Sequence, residues 1–317
     1  MRIIIKSICN YRYILIILII AGLLRITNPF YASPTLYVIG DEPPNYMGAL
    51  YVLANKNLLV RTAIYPPFGS YAQIPFLLIA FLLELLRGKT MADLYLLVLT
   101  QPGFFLFVPR ILAGIFGTAT IYLIYKISKL VFPKSKSIRI LAALLAAFLF
   151  NHGQISHFGR PWAAAMFFYC LSLKWTLQSH LQTMNDRKLI ILASAAAIVS
   201  YGFHQVGVFA LWSFAVLRIV GSQKKLSQAL IQKNTWLGII MVLIGIGCIY
   251  GLQINNPTAD WFPAFTFYPP NYGFINMIID VIFSSNIVYN IRQLLVLEPI
   301  VFIFFLINLL TVRKNSD

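Results

Sequence analysis

Acidic residues are scarce in this chain: nine Asp and Glu stand against 25 Lys and Arg among 317 residues. Charge of either sign is thin, at 11% of residues, while 59% are hydrophobic. A soluble domain of this length needs a polar exterior that such a composition does not supply. Cysteine is nearly absent. Cys9, Cys170 and Cys248 show neither metal-ligand spacing nor a disulfide framework. There is no internal repeat, low-complexity tract or soluble domain. What is there instead is a series of apolar runs, several near the roughly 20 residues that cross a bilayer. The chain reads as an all-α, polytopic integral membrane protein. Its net charge of +16 then reflects basic loops that orient helices, not a nucleic-acid partner.

The apolar runs predict about eight spans, near 12–30, 110–131, 139–152, 162–179, 188–204, 205–221, 235–253 and 294–312. The start is basic and then apolar without a small-residue cleavage site, as in an uncleaved signal anchor. The run at 71–86, "YAQIPFLLIAFLLELL", is short and carries Gln73, Pro75 and Glu84. Charge decides its status. If it does not cross and the N-terminus is cytoplasmic, seventeen of the 25 basic residues fall inside, including the cluster around Lys134 and Lys136. If it crosses alone, that bias reverses. The sequence therefore predicts a helix lying in, or dipping into, the outer leaflet. Both termini become cytoplasmic, and the long segments 28–109 and 254–293 become extracytoplasmic loops of a single domain, 1–317.

At the head of the first loop the scarce acids sit side by side, Asp41 and Glu42, in "IGDEPPNYMGALY". Pro43 and Pro44 open a helix whose Met47, Leu50, Tyr51 and Ala54 share one face, suited to the membrane surface. One reading of the acids is helix capping, which satisfies free N–H groups and complements the helix dipole. Capping needs only one acid. Two carboxylates at the exit of the first span also fit chemistry at the lipid headgroup level, where a substrate tail stays in the bilayer.

"GDEPPNYMGALYVLANKNLL" followed by "YPPFGSYAQIPFLLIAFLLELLRG" resembles the first outer loop of the polytopic GT-C glycosyltransferases. Protein O-mannosyltransferases and bacterial aminoarabinose transferases are the members it is most like. "VPRILAGIFGTATIYLIYKISKLVF" is similar to the family's next span, and "ISHFGRPWAAAMFFYCLSL" to its second outer loop and the span after it. The resemblance covers about residues 35–180 and rests on the order of these segments. It implies transfer of a sugar from a polyprenyl-phosphate carrier to a protein, lipid or glycan acceptor on the outer face, with inversion, in a bacterial plasma membrane. Asp41 matches the catalytic base and Glu42 its partner, which orients the site or tunes the neighbouring acid.

A departing phosphate needs cations or N–H donors. Arg61, Arg110 and Arg160 are the outer arginines placed for that, each with headgroup anchoring as the alternative. Tyr65, Pro66 and Pro67 form the turn facing the site; many relatives carry Lys or His where Tyr65 stands. Some relatives place an acid after "HFGR", where this chain has Arg160-Pro161-Trp162. No metal site is therefore expected, although a divalent metal stays open. His152 and His157 can bond a phosphate or sugar, or simply cap helix ends. His204 and Gln205 fall at another outer helix end as candidate carrier contacts, and Asp260 and Trp261 can line an acceptor groove or anchor at the interface. Two rival classes remain: a lipid-carrier flippase, which the near-absence of acids within the spans disfavours, and a non-catalytic scaffold. The family usually continues with further spans, so this chain is expected to be truncated at its C-terminus relative to it.

Overall fold

The computed structural model describes residues 2–30, 42–56, 58, 60, 65–181, 186–204, 207, 209–210, 213–214 and 233–254. The expected span at 294–312, most of that at 205–221 and the loop 254–293, save its first residue, lie outside them. Met1–Phe148 with His152–Trp261 form one compact unit, and Leu149–Asn151 with Phe262–Asp317 a second. The helix packing and the site belong to the first.

Every regular element among the described residues is helical: α1 (Arg2–Ile26), α2 (Pro43–Asn55), α3 (Phe68–Leu86), α4 (Met91–Thr100), a 3-10 turn (Phe104–Leu106), α5 (Phe107–Val131), α6 (Lys136–Phe148), α7 (Phe150–His157), α8 (Trp162–Leu181), α9 (Asp186–Phe203) and α10 (Lys233–Ile254). Two helical stretches, Phe68–Leu86 and Phe104–Val131, are long and apolar enough to cross a membrane, and α6 with α7 adds a third if that bent pair is one span. Among the described residues the expectation of eight spans thus falls to two or three. The reasons are local. Lys174, Gln178 and Ser179 dilute the apolar run of α8, and the apolar part of α10 is only Asn234–Ile249.

α3 has the length of a span, but its contacts run another way. At its start Phe68 packs edge-on against Phe203, with ring centroids 6.2 Å apart, and Gly69 abuts Asn45 and Pro161. Thirteen residues on, about 20 Å along a helix, Phe81 meets Phe105 at 4.8 Å. Beyond the helix, Lys89 sits over Phe104 at 5.3 Å. Phe104 and Phe105 immediately precede α5, and the Gly159–Pro161 turn lies against Pro109 in the first turn of α5. Both ends of α3 therefore meet the same end of α5, so α3 lies across that end instead of running beside α5. Its outer face is apolar and uncovered, with Leu78, Ile79, Leu82 and Leu83 exposed.

α2 follows the two prolines, as expected, and ends at Lys56 in a left-handed conformation (φ 50°). Small residues let it approach α3 closely, because a Cβ on Gly48 would meet Ser70 and Val60. Met47, Leu50 and Tyr51 are half-buried. Below them Tyr46 and Ala49 join Leu77, Ala80 and Phe105 in a fully apolar core. α4 was not anticipated from the sequence. Thr90 and Asp93 form a reciprocal capping box at its start, and the Thr90 N–H and hydroxyl hold the Asp93 carboxyl below the usual carboxylate range.

The expected span 139–152 is instead broken at Leu149, with a 56° bend between α6 and α7. A break leaves the last carbonyls of α6 without intrahelical donors. Arg25, 3% exposed at the end of α1, supplies them: Nη2 donates to Ala147 O (3.1 Å) and Ala146 O (3.4 Å), and Nη1 to Ala21 O (3.1 Å). His152 Nδ1 lies 2.9 Å from both Arg25 Nη2 and Ala146 O. His152 is thus a capping group here, not a ligand contact. Gly117 of α5 admits α7 beside it, since a methyl group there would overlap Ser156 Cβ and Oγ. Gly117→Ala is expected to destabilise the purified protein by about 1–3 kcal/mol, the usual cost of overpacking. Ser156→Gly in the same chain should restore most of the loss, read as the melting temperature in detergent.

Candidate functional site

The site is built around Glu42. The residue occupies the N-cap position of α2, yet its side chain makes no capping hydrogen bond, which corrects the capping expectation. The carboxylate is fully buried. Arg110, in the first turn of α5, approaches it as a fork, with Nε donating to Oε1 at 3.0 Å and Nη2 to Oε2 at 2.7 Å. The Gly159 N–H donates to Oε1 at 2.6 Å, and Arg110 Nη1 donates to Pro29 O at 3.1 Å. One carboxylate and one guanidinium thereby join four segments far apart in sequence: the exit of α1, the start of α2, the start of α5 and the α7–α8 turn. Glycine is required at 159 by proximity, because a Cβ would stand 2.9 Å from Pro109 Cβ.

This geometry revises two roles. Arg110 was expected to meet a phosphate, but its fork is directed at Glu42 and it is only 4% exposed. Glu42, matched to the catalytic pair, has no exposed surface and is a positioning residue. A carboxylate buried in this way persists only with charge-assisted partners, and here it has three donors. Asp41, the expected base, and Arg61 and Gln205 lie outside the described residues, as do Asp260 and Trp261.

The remaining candidates gather beside the Glu42–Arg110 pair. Tyr65, 7% exposed, stacks obliquely on His204 at 5.2 Å, and Trp162 meets the other side of His204 edge-on at 5.1 Å. Arg160 lies 5.5 Å over the Trp162 ring and 5.6 Å over Phe158. Pro66 and Pro67 are buried, and the Pro67 carbonyl accepts from Ser70 and Tyr71 N–H to open α3. His157 closes α7 and contacts Phe158 at 6.0 Å, one residue removed from the cluster. Position 65 thus supplies an aromatic wall where a cation was the alternative.

A half-open cleft with about 20 Å³ of enclosed space lies between the start of α3, α5, the Gly159–Pro161 turn and Phe203. Gln73, Arg160 and Pro109 are among its walls. Three contributors were missed in the sequence. Gly159 carries no local signal. Trp162 was passed over beside Arg160. Gln73 was noted only as a polar interruption of an apolar run. No group of three His, Cys, Asp or Glu able to hold a metal occurs among the described residues.

Removing one partner of a buried ion pair strands the other, at a cost of about 3–5 kcal/mol. Arg110→Ala and Glu42→Ala should each lower stability by that order, and the double substitution by much less than the sum, in a thermal-unfolding double-mutant cycle. Independent losses that simply add would show the two groups uncoupled. Compared with known proteins, the chain matches no family model, no curated protein and no solved structure.

Proposed function

We propose that this chain is a membrane glycosyltransferase that moves a sugar from a polyprenyl-phosphate carrier to an acceptor on the extracytoplasmic face, in the manner of the GT-C enzymes. The observation that carries this reading is convergence. Residues 42, 65, 110, 160 and 204, chosen in the sequence as one site, meet at one end of the helix bundle around the Glu42–Arg110 pair. At the same end, α3 lies across the bundle with an apolar face uncovered, as a helix seated in a leaflet does. A prenyl chain lying in that leaflet can present its phosphate to the cluster without leaving the lipid.

In the proposed reaction Asp41 takes the acceptor's hydroxyl proton as the acceptor oxygen attacks the anomeric carbon. The bond from that carbon to the carrier phosphate oxygen breaks, and the phosphate departs with its electron pair. Arg160, held over Trp162 and Phe158, supplies positive charge to the leaving group. His204, fixed between Tyr65 and Trp162, is placed to donate to the same phosphate. Glu42 contributes indirectly, by fixing the backbone next to Asp41 through Arg110 and Gly159.

The test is turnover by the full chain in lipid nanodiscs, given undecaprenyl-phosphate mannose and candidate acceptors, with release of undecaprenyl phosphate as the readout. Asp41→Asn should lower the rate by about 10²-fold or more, the range of general-base losses, while melting as the wild type does. Full activity in that variant removes the proposed base. Sidedness is checked separately. In sealed cells Asn55→Cys should react with an impermeant maleimide, and Ser135→Cys, beyond the far end of α5, only after permeabilisation.

A further inference from the structure

Gln73 sits in the second turn of α3, 4% exposed, and lines the cleft beside Arg160. Its amide orientation is fixed by chemistry: Nε2 lies 3.0 Å from the Gly69 carbonyl, so the nitrogen must be the donor there. The other end, Oε1, is buried without a hydrogen-bond partner. An acceptor in that condition is costly unless something fills its place. The enclosed space of about 20 Å³ admits one group the size of a water or a hydroxyl, and not a sugar ring. No acid lines the cleft, and Arg160 does. A cationic amino substituent would meet like charge there, while a neutral hydroxyl would not.

We propose that Gln73 is a specificity-determining residue of this cleft: its Oε1 accepts a hydrogen bond from a hydroxyl of the carrier-linked sugar, selecting a neutral hydroxylated sugar over an amino sugar. The inference rests on the glycosyltransferase reading and names the class of sugar that reading leaves open. Gln73 is not placed at the reacting atoms. It holds one substituent of the ring while Arg160 faces the phosphate.

Binding to the full chain in nanodiscs decides it, with undecaprenyl phosphate, undecaprenyl-phosphate mannose and undecaprenyl-phosphate aminoarabinose as probes. The wild type should hold the mannose carrier about 5- to 10-fold more tightly than the sugar-free carrier, the scale of one neutral hydrogen bond. The aminoarabinose carrier should gain nothing. Gln73→Leu should abolish the mannose advantage, leave the affinity for sugar-free carrier unchanged and melt no lower than the wild type. Gln73→Glu, which keeps the acceptor and adds negative charge, should shift preference toward the amino sugar. Equal weakening of all three probes by Gln73→Leu, together with a lower melting temperature, would show a structural residue satisfied by a fixed water and overturn the proposal. So would a wild type that binds the two sugars alike. Wild-type protein that binds none of the three carriers withdraws the glycosyltransferase reading and the sugar with it. That outcome is distinct from failure of Gln73 alone, in which the carriers bind and the variant changes nothing.

Discussion

The Glu42–Arg110 ion pair is the constraint from which the rest of the site takes its shape. Taking both charges out of water is expensive, and their attraction offsets that cost only when the remaining lone pairs and protons are satisfied as well. Here the forked geometry, the Gly159 N–H and the Pro29 carbonyl meet that requirement. The pair is therefore specific about its surroundings. It tolerates only one placement of the α7–α8 turn, because the N–H that completes the carboxylate belongs to a glycine pressed against Pro109. Arg160 follows that glycine directly. Its seat over Phe158 and Trp162, and through Trp162 the position of His204, follows from where Gly159 is held. Chemistry carried by Asp41 would inherit the same frame through its peptide bond to Glu42.

Much of the helical order is legible in the sequence because apolar runs and prolines state it locally. Pro43-Pro44 mark the start of α2, and the runs from 110, 162, 188 and 235 reappear as α5, α8, α9 and α10 within a few residues. The grouping of Glu42, Tyr65, Arg110, Arg160 and His204 is also legible, since all five fall at predicted helix ends on one side. The partners are not. Nothing in a linear reading says that Arg110 faces Glu42 instead of a phosphate, because that choice depends on three-dimensional proximity across 68 positions. The break at Leu149 is likewise invisible. No proline or glycine marks it, and "LAALLAAFLF" would pass as continuous helix on propensity. Hydropathy also measures length and oiliness but not direction, so α3 reads equally as a span or as a surface helix until Phe81 is seen against Phe105.

Scarcity of acid explains how the second buried arginine survives. With nine acids for 25 bases, a carboxylate is not on hand for every buried cation. Glu84 is taken by Arg87 and Lys89, each at 2.6 Å, and Asp93 by its own helix start. Arg25 has no acidic partner and is surrounded by backbone carbonyls instead. The bend between α6 and α7 makes that solution available. A continuous helix would use the carbonyls of Ala146 and Ala147 internally, whereas a broken one leaves them at the negative end of the α6 dipole, where a cation is favoured. The bend and the buried arginine therefore require one another: a straight 136–157 helix would leave the guanidinium without acceptors, and a smaller residue at 25 would leave two carbonyls without donors.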